Sequence, residues 1–196
     1  MCMCACLGGN SARACKKLAD GQTKKAQEPL MREALAAAER ALQLDAKLGA
    51  AHKWYAIVLS GVGEFDGTSA TIKNSYVVRE HFEEACRLSP ADATARHLLG
   101  IWCYEVSNLS WTMRKLASTL FATPPTATVE EAIAHFEEAE LMDPGFYPKN
   151  LLLLAQAHAK LGNSEQARAF LDKCKAAPPK TPEDEETLKQ AMALKL

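Results

Sequence analysis

Apolar and small residues recur along this chain at helical spacing, and one pentapeptide appears twice. His81-Phe82-Glu83-Glu84-Ala85 is followed by Pro90, and His135-Phe136-Glu137-Glu138-Ala139 by Pro144. In the first copy Val78, Phe82 and Ala85 fall at i, i+4 and i+7, one face of a helix; Ala132 stands at the head of the second. The small residue marks where another helix comes close, and the ring fills the gap beside it. Pro then stops the helix and can open the next. Ala167, Leu171, Cys174 and Pro179 form a weaker copy, and Ala34, Ala38, Ala41 and Ala46 another, with Ala in the Pro place.

Residues 30–47 are rich in the strong helix formers Ala and Leu, and Ala50 to Ser60 begins the next unit. A polar, Gly-containing insert, Gly61 to Asn74, is expected to separate that helix from its partner. Ser89-Pro90-Ala91-Asp92 reads as an N-cap with Pro at the first helical position, ahead of a helix from Ala93 to Val106. Thr128 and Glu131 have capping-box spacing. Between Val106 and Thr128 lies an extra element, residues 110–122, in which Met113, Leu116, Ala117, Leu120 and Phe121 form an amphipathic stripe ended by Pro124-Pro125. Arg114 and Lys115 on its other side would suit a membrane surface, but so short a stretch needs only to pack on its neighbours. Tyr147-Pro148 leads into Leu151 to Leu161, and Gly162-Asn163 turns into the helix of Ala167. Thr181-Pro182-Glu183-Asp184 starts a last helix whose Leu188, Ala191, Met192 and Leu196 are expected to cover the end of the stack.

The spacing Ala-x3-Phe-x2-Ala-x4-Pro is that of the second helix of a tetratricopeptide repeat, and Leu99-Gly100 holds the Leu-Gly place of a first helix. Trp54, Ile57 and Val58 stand at the Trp, Leu and Gly places. The expected fold is all-α: a tetratricopeptide-like right-handed helical solenoid with an inserted extra helix and a C-terminal capping helix, nine to eleven helices in all. Its hairpins would span about 11–47, 50–89, 91–143 and 148–177, with a cap at 181–196 and a disordered tail at 1–10.

Composition narrows the partners. Of 196 residues, 48% are hydrophobic and 24% charged, enough for a real core and about the size of one domain. A formal net charge of −1 draws the chain neither to nucleic acid nor to an anionic membrane, so an acidic partner must be met by a local patch. No apolar run approaches a membrane span, and residues 1–9 lack the features of a secretory signal. Cys86, Cys103 and Cys174 sit singly within helical patterns, which suits a reduced, cytosolic compartment. Cys2, Cys4 and Cys6 alternate, a spacing open to a soft metal or a lipid, yet no His or CxxC accompanies them; a short basic helix from Ser11 to Asp20, closed by Gly21, is expected to follow.

Phosphate loops, nucleophile elbows, HExxH and paired CxxC are all missing from the sequence, so no catalysis and no cofactor or metal is expected. His81 and His135 hold one repeat position, which a structural role explains. His52, His97 and His158 fall on first helices, which would line the inner surface; a partly buried, satisfied histidine is expected there in preference to a ligand contact. Cys103 and His158 occupy equivalent places, and Glu105 is a single acid beside Trp102 and Tyr104.

The inserts are more specific than the repeats. Ala51 to Ile57, Ile72-Lys73-Asn74, Arg79 to Glu83, His97 to Val106, Ser110-Trp111, Pro124-Pro125, Asp143 to Tyr147 and Lys149-Asn150 together resemble the regulator of microtubule dynamics protein family, in order from Ala12 to Pro179. The resemblance implies a tetratricopeptide-like domain associated with microtubules and the spindle. In one vertebrate branch it implies a place on the mitochondrial outer membrane and transfer of phospholipids. That branch carries an amino-terminal anchor and linker, and family members have a Trp-containing helix where this chain has Leu7 to Asn10, so the resemblance carries over the repeat domain and not the tether.

Two functions follow as expectations. One is a non-catalytic scaffold in the cytoplasm or on the cytoskeleton, spindle or axoneme, which holds tubulin or a microtubule-bound protein on its inner helices. The other is a phospholipid-binding domain at the mitochondrial surface. The candidate groove comprises Trp54, His97, Trp102, Leu116, Leu120, Leu153 and His158, and the extra helix is expected to fold near Trp102 and Val106 and close it. Lys24, Lys25, Arg114 and Lys115 form the candidate basic patch for acidic tubulin tails.

Overall fold

The computed structural model describes residues 2–19, 22–121 and 125–196, with side chains from Asn10 onward. Every regular element among them is helical: α1 (Cys2–Ala19), α2 (Lys24–Leu44), α3 (Gly49–Asp66), α4 (Thr68–Leu88), α5 (Ala93–Ser107), α6 (Trp111–Leu120), α7 (Val129–Met142), α8 (Pro148–Lys160), α9 (Ser164–Ala176) and α10 (Pro182–Ala193). The antiparallel pairs are α1 with α2, α3 with α4, α5 with α7, and α8 with α9. The chain divides into two compact units, Met1–Pro90 with Ser110–Pro125, and Ala91–Leu109 with Thr126–Leu196.

In the first unit α2 packs on α3 through a layer of small residues. Ala34, Ala38 and Ala41 are fully buried, and Met31 and Ala34 meet Ala19, Val58 and Val62. Trp54 and Tyr55 lean on Ala12, Ala37 and Ala38. The α1 backbone is helical from Cys2, where an unstructured tail was expected. The side chains of Cys2, Cys4 and Cys6, and the stop at Gly21, lie outside the described residues. Upstream of residue 30, α2 runs back to Lys24 through Pro29, which forfeits one backbone bond without ending the helix.

The expected insert Gly61 to Asn74 is instead helix. Its residues extend α3 and α4, and the turn between them is Gly67 alone, at φ +90°. The other two glycines serve close approach: a Cβ on Gly61 would meet Met31 Cε at 2.5 Å, and one on Gly63 would lie 3.3 Å from the Thr71 backbone. Thr71 Oγ1 donates to the Gly63 carbonyl at 3.0 Å across that contact. The extra helix α6 packs on α4, burying Ala117 and setting Phe121 edge-on to Tyr76 at 4.7 Å. Met113, Leu116 and Leu120 are half-buried, and Trp111 on the outer side is 72% exposed.

The second unit is built around a ring on a bare patch of helix. Phe136 of α7 is fully buried, and a Cβ on Gly100 of α5 would come within 2.7 Å of its ring carbons. Beside it Asn150 of α8 donates from Nδ2 to the Phe136 carbonyl at 2.9 Å, which turns its Oδ1 toward His97 of α5; His97 Nδ1–H donates to that oxygen at 2.8 Å. Three helices are thereby joined through one buried side chain. His97 is 1% exposed, rings of Phe136, Phe146 and Tyr147 surround it, and Nε2 has no hydrogen-bond partner. Burial, reinforced by the Lys149 charge and opposed by the Asn150 bond, pushes its pKa down to about 4.

Helix ends follow local chemistry. Asp92, rather than Ser89, caps α5 by accepting from Ala95 N at 3.1 Å, so Pro90 lies outside the helix. Capping boxes open α7 at Thr128 and α10 at Thr181. The last helix packs on α8 and α9 with Asp184, Thr187, Ala191 and Leu194 inward. Met192 and Leu196, expected in the cover, are 61% and 39% exposed: Met192 is one residue, about 100° of helix turn, past the inward Ala191.

Two stability measurements follow. Phe136→Ala is expected to cost ~3–5 kcal/mol in urea unfolding, and Gly100→Ala ~1–3 kcal/mol because its methyl displaces the ring. In the Phe136→Ala background the Gly100 substitution is expected to be neutral or stabilising, since the obstacle is gone and Ala favours helix.

Acid is expected to act through His97. Its folded pKa lies below the unfolded value, so the unfolded chain takes up the proton first. Its contribution is complete above pH ~6.5 and is lost as pH falls toward 4, by about 3 kcal/mol. Unfolding free energies of wild type and His97→Gln, compared across that window, are expected to converge on acidification.

Candidate functional site

A hollow in the second unit lies between α5 and α8. Ile101, Tyr104, Glu105 and Asn108 stand at i, i+3, i+4 and i+7 on α5, and Lys149 and Leu153 at i and i+4 on α8, so each helix offers one face. The hollow holds about 450 Å³ and is half open, with walls mostly apolar. Leu153 and Ile101 contribute apolar lining, while Glu105 and Lys149 place one charge of each sign on it. Burial raises the Tyr104 phenol above its ordinary pKa, so it remains a neutral donor.

The walls are fixed from behind. Lys160 of α8 donates to Asn108 Oδ1, and Lys149 Nζ donates to Gln190 Oε1 of α10 at 3.1 Å. The His97–Asn150–Phe136 network sits one residue from Lys149 and holds α5 and α8 together. Arg96 of α5 pairs with Glu138 of α7 at 3.0 Å.

Of the residues expected to form a groove, Leu153 lines this hollow. Trp102 is 6% exposed and His97 1%, both core residues of the same unit. His158 is also buried; it stacks on Phe170 at 5.5 Å with Nε2 3.7 Å from Glu137 Oε1. Cys103, its repeat equivalent, is 4% exposed. Trp54, Leu116 and Leu120 belong to the other unit, where Arg13 lies 6.0 Å over the Trp54 ring. In the expected basic patch, Lys24 sits 6.0 Å over Phe65 and Lys115 5.1 Å over Trp111; Lys25, Arg114 and Lys115 are exposed. Sequence reasoning passed over Ile101, Asn108 and Lys149. The i, i+3, i+4, i+7 series on α5 was the available signal, masked by the stronger core series Leu99, Trp102 and Val106 on its opposite side.

Among the described residues, no three His, Cys, Asp or Glu side chains gather as a metal set, and no helix is long and apolar enough to cross a membrane.

Similarity to known proteins agrees with this architecture. Among solved structures, a thermophilic TPR protein of Thermus thermophilus matches 95% of the chain and 81% of its own length with a TM-score of 0.60 at 18% identity. PilF of Pseudomonas aeruginosa matches 95% of the chain and 69% of its own with a TM-score of 0.57 at 17% identity. Such likeness shows the fold alone, a tetratricopeptide-type helical stack. Sequence similarity goes further. Regulator of microtubule dynamics protein 1 of Bos taurus is 46% identical over 185 residues, 93% of this chain and 58% of that protein; its Homo sapiens counterpart is 48% identical over 165 residues, 84% and 52%. Regulator of microtubule dynamics protein 3 of Xenopus laevis is 41% identical over 173 residues, 88% of the chain and 37% of its own. The chain thus spans little more than half the length of the first relatives. The model of the family described as regulator of microtubule dynamics protein 1-3 matches residues 10–195, and the chain belongs to that family.

Proposed function

We propose that this domain is a non-catalytic interaction scaffold associated with microtubules, in the cytoplasm, spindle or axoneme, and that it holds a protein partner in the hollow between α5 and α8. The observation that carries the reading is the hollow itself: an open, apolar recess of about 450 Å³, with Glu105 and Lys149 in its lining and Lys149 hydrogen-bonded to Gln190. Recesses of about 300–1,000 Å³ with few polar groups suit an apolar side chain or a short segment of a partner. Glu105 and Lys149 would fix the direction of a bound segment by pairing with charges of opposite sign. The relatives' names, regulators of microtubule dynamics, supply the microtubule context.

The same lining supports a second reading, in which the apolar recess takes an acyl chain and Lys149 a phosphate, as a phospholipid-binding domain at a mitochondrial surface would require. Basic residues Lys24, Lys25, Arg114 and Lys115 of the first unit are proposed as an auxiliary contact for acidic tubulin tails.

Ile101→Glu puts a charge on the hollow's apolar wall. It is expected to reduce co-pelleting with microtubules carrying their associated proteins by about tenfold, the effect of ~1.4 kcal/mol, without lowering the unfolding temperature. Co-pelleting unchanged by Ile101→Glu, but lost on reversing Lys24, Lys25, Arg114 and Lys115 and weakened steeply by salt, would place the contact on the basic residues instead. Phospholipid retained by purified wild type in mass spectrometry, and absent from Ile101→Glu, would favour the second reading.

A further inference from the structure

His52 of α3 and His81 of α4 face each other within the second hairpin, apart from the hollow. Their Nδ1 atoms are 3.0 Å apart, with ring centroids at 4.8 Å and planes inclined by 33°. His52 Nε2 lies 3.0 Å from the Ala46 carbonyl oxygen. A carbonyl only accepts, so His52 carries its proton on Nε2 and presents a bare lone pair at Nδ1; His81 donates to it from its own Nδ1. Both rings are half-buried, reachable from solvent, and mounted on helices that pack closely along their length.

We propose that His52 and His81 form a two-imidazole clamp for a first-row divalent metal ion of the imidazole-preferring kind, Ni²⁺, Cu²⁺ or Zn²⁺. Such ions bind imidazole nitrogen at about 2.0–2.1 Å, so two nitrogens at a right angle on one ion stand about 2.9 Å apart and two at a tetrahedral angle about 3.4 Å. The observed 3.0 Å matches the right-angled pair. The bond from His52 Nε2–H to the Ala46 carbonyl is the outer hydrogen bond that orients a ligating imidazole and settles its tautomer. For metal entry His81 moves its proton from Nδ1 to Nε2, and both rings turn so that the Nδ1 lone pairs, which face each other in the hydrogen bond, converge on the ion. Both rings stay neutral, no net proton is released, and the ion replaces the hydrogen bond between the rings. Glu84, one turn along α4 and held by Arg87, adds a negative field at His81. No third His, Cys, Asp or Glu joins the pair among the described residues, so water completes the coordination. The bound ion ties α3 to α4 and stabilises their hairpin by mass action.

Ni²⁺ titrated into the full chain near neutral pH is the test. Wild type is expected to gain a few degrees in unfolding temperature, and His81→Gln and His52→Gln to lose that gain. His135→Gln, altered at the same repeat position as His81, and a variant with Cys2, Cys4 and Cys6 all changed to Ser are expected to keep it. On unmodified protein, paramagnetic Ni²⁺ is expected to broaden the ring proton resonances of His52 and His81 before those of the other histidines, a readout independent of whether any variant folds. No response in wild type, a response unchanged in both Gln variants, a response lost with the cysteines, or broadening that begins at other histidines would each overturn the proposal.

Discussion

A phenylalanine ring can lie against the backbone of a neighbouring helix only where that helix carries no side chain. In the second unit Gly100 provides that place, and Phe136 occupies it so closely that a single added carbon would stand 2.7 Å from the ring. Seating the ring brings the Phe136 carbonyl within reach of Asn150, and Asn150 in turn settles which nitrogen of His97 holds the proton. One steric constraint thus positions α5, α7 and α8, and faces of α5 and α8 make the hollow. The buried polar trio is favourable only as a complete set, because a buried amide or imidazole left without partners costs far more than a missing contact.

Small residues perform the equivalent service in the first unit. Alanines of α2 allow α3 to approach, and Gly61 and Gly63 do the same for Met31 and Thr71. Among the described residues there, only Gly67 is used for its backbone freedom, at φ +90°. Glycine therefore has two meanings in this chain, close approach inside helices and a turn between them.

That ambiguity explains what was legible in the sequence. The paired pentapeptides, the capping box at Thr128 and the stripe of α6 are periodic signals that depend on local chemistry, and each became the element it predicts. The insert at Gly61 to Asn74 was misread because the contacts that keep its glycines helical, Met31 and the Thr71 backbone, are distant in sequence or lie across the turn. Met192 and Leu196 were misassigned for a related reason: α10 has apolar residues on two faces, and only packing on α8 and α9 selects the one with Thr187 and Ala191. Within the candidate site, Leu153 could be read from its repeat position, whereas Ile101, Asn108 and Lys149 become a site only when two helices face each other. The histidine pair is likewise invisible in sequence, since nothing in the spacing of His52 and His81 announces that their rings meet.

A hollow with apolar walls and one charge of each sign is the feature on which the proposed partner site rests, in a family named for microtubule dynamics. The most direct measurement places a photo-crosslinking residue at Asn108, on the exposed rim of the hollow, and illuminates the protein with microtubules and their associated proteins. The same probe at exposed Met192 serves as reference. A crosslinked polypeptide from Asn108 and none from Met192 is the predicted result; equal crosslinking from both positions, or none from Asn108 while the protein still co-pellets, would contradict a partner site between α5 and α8.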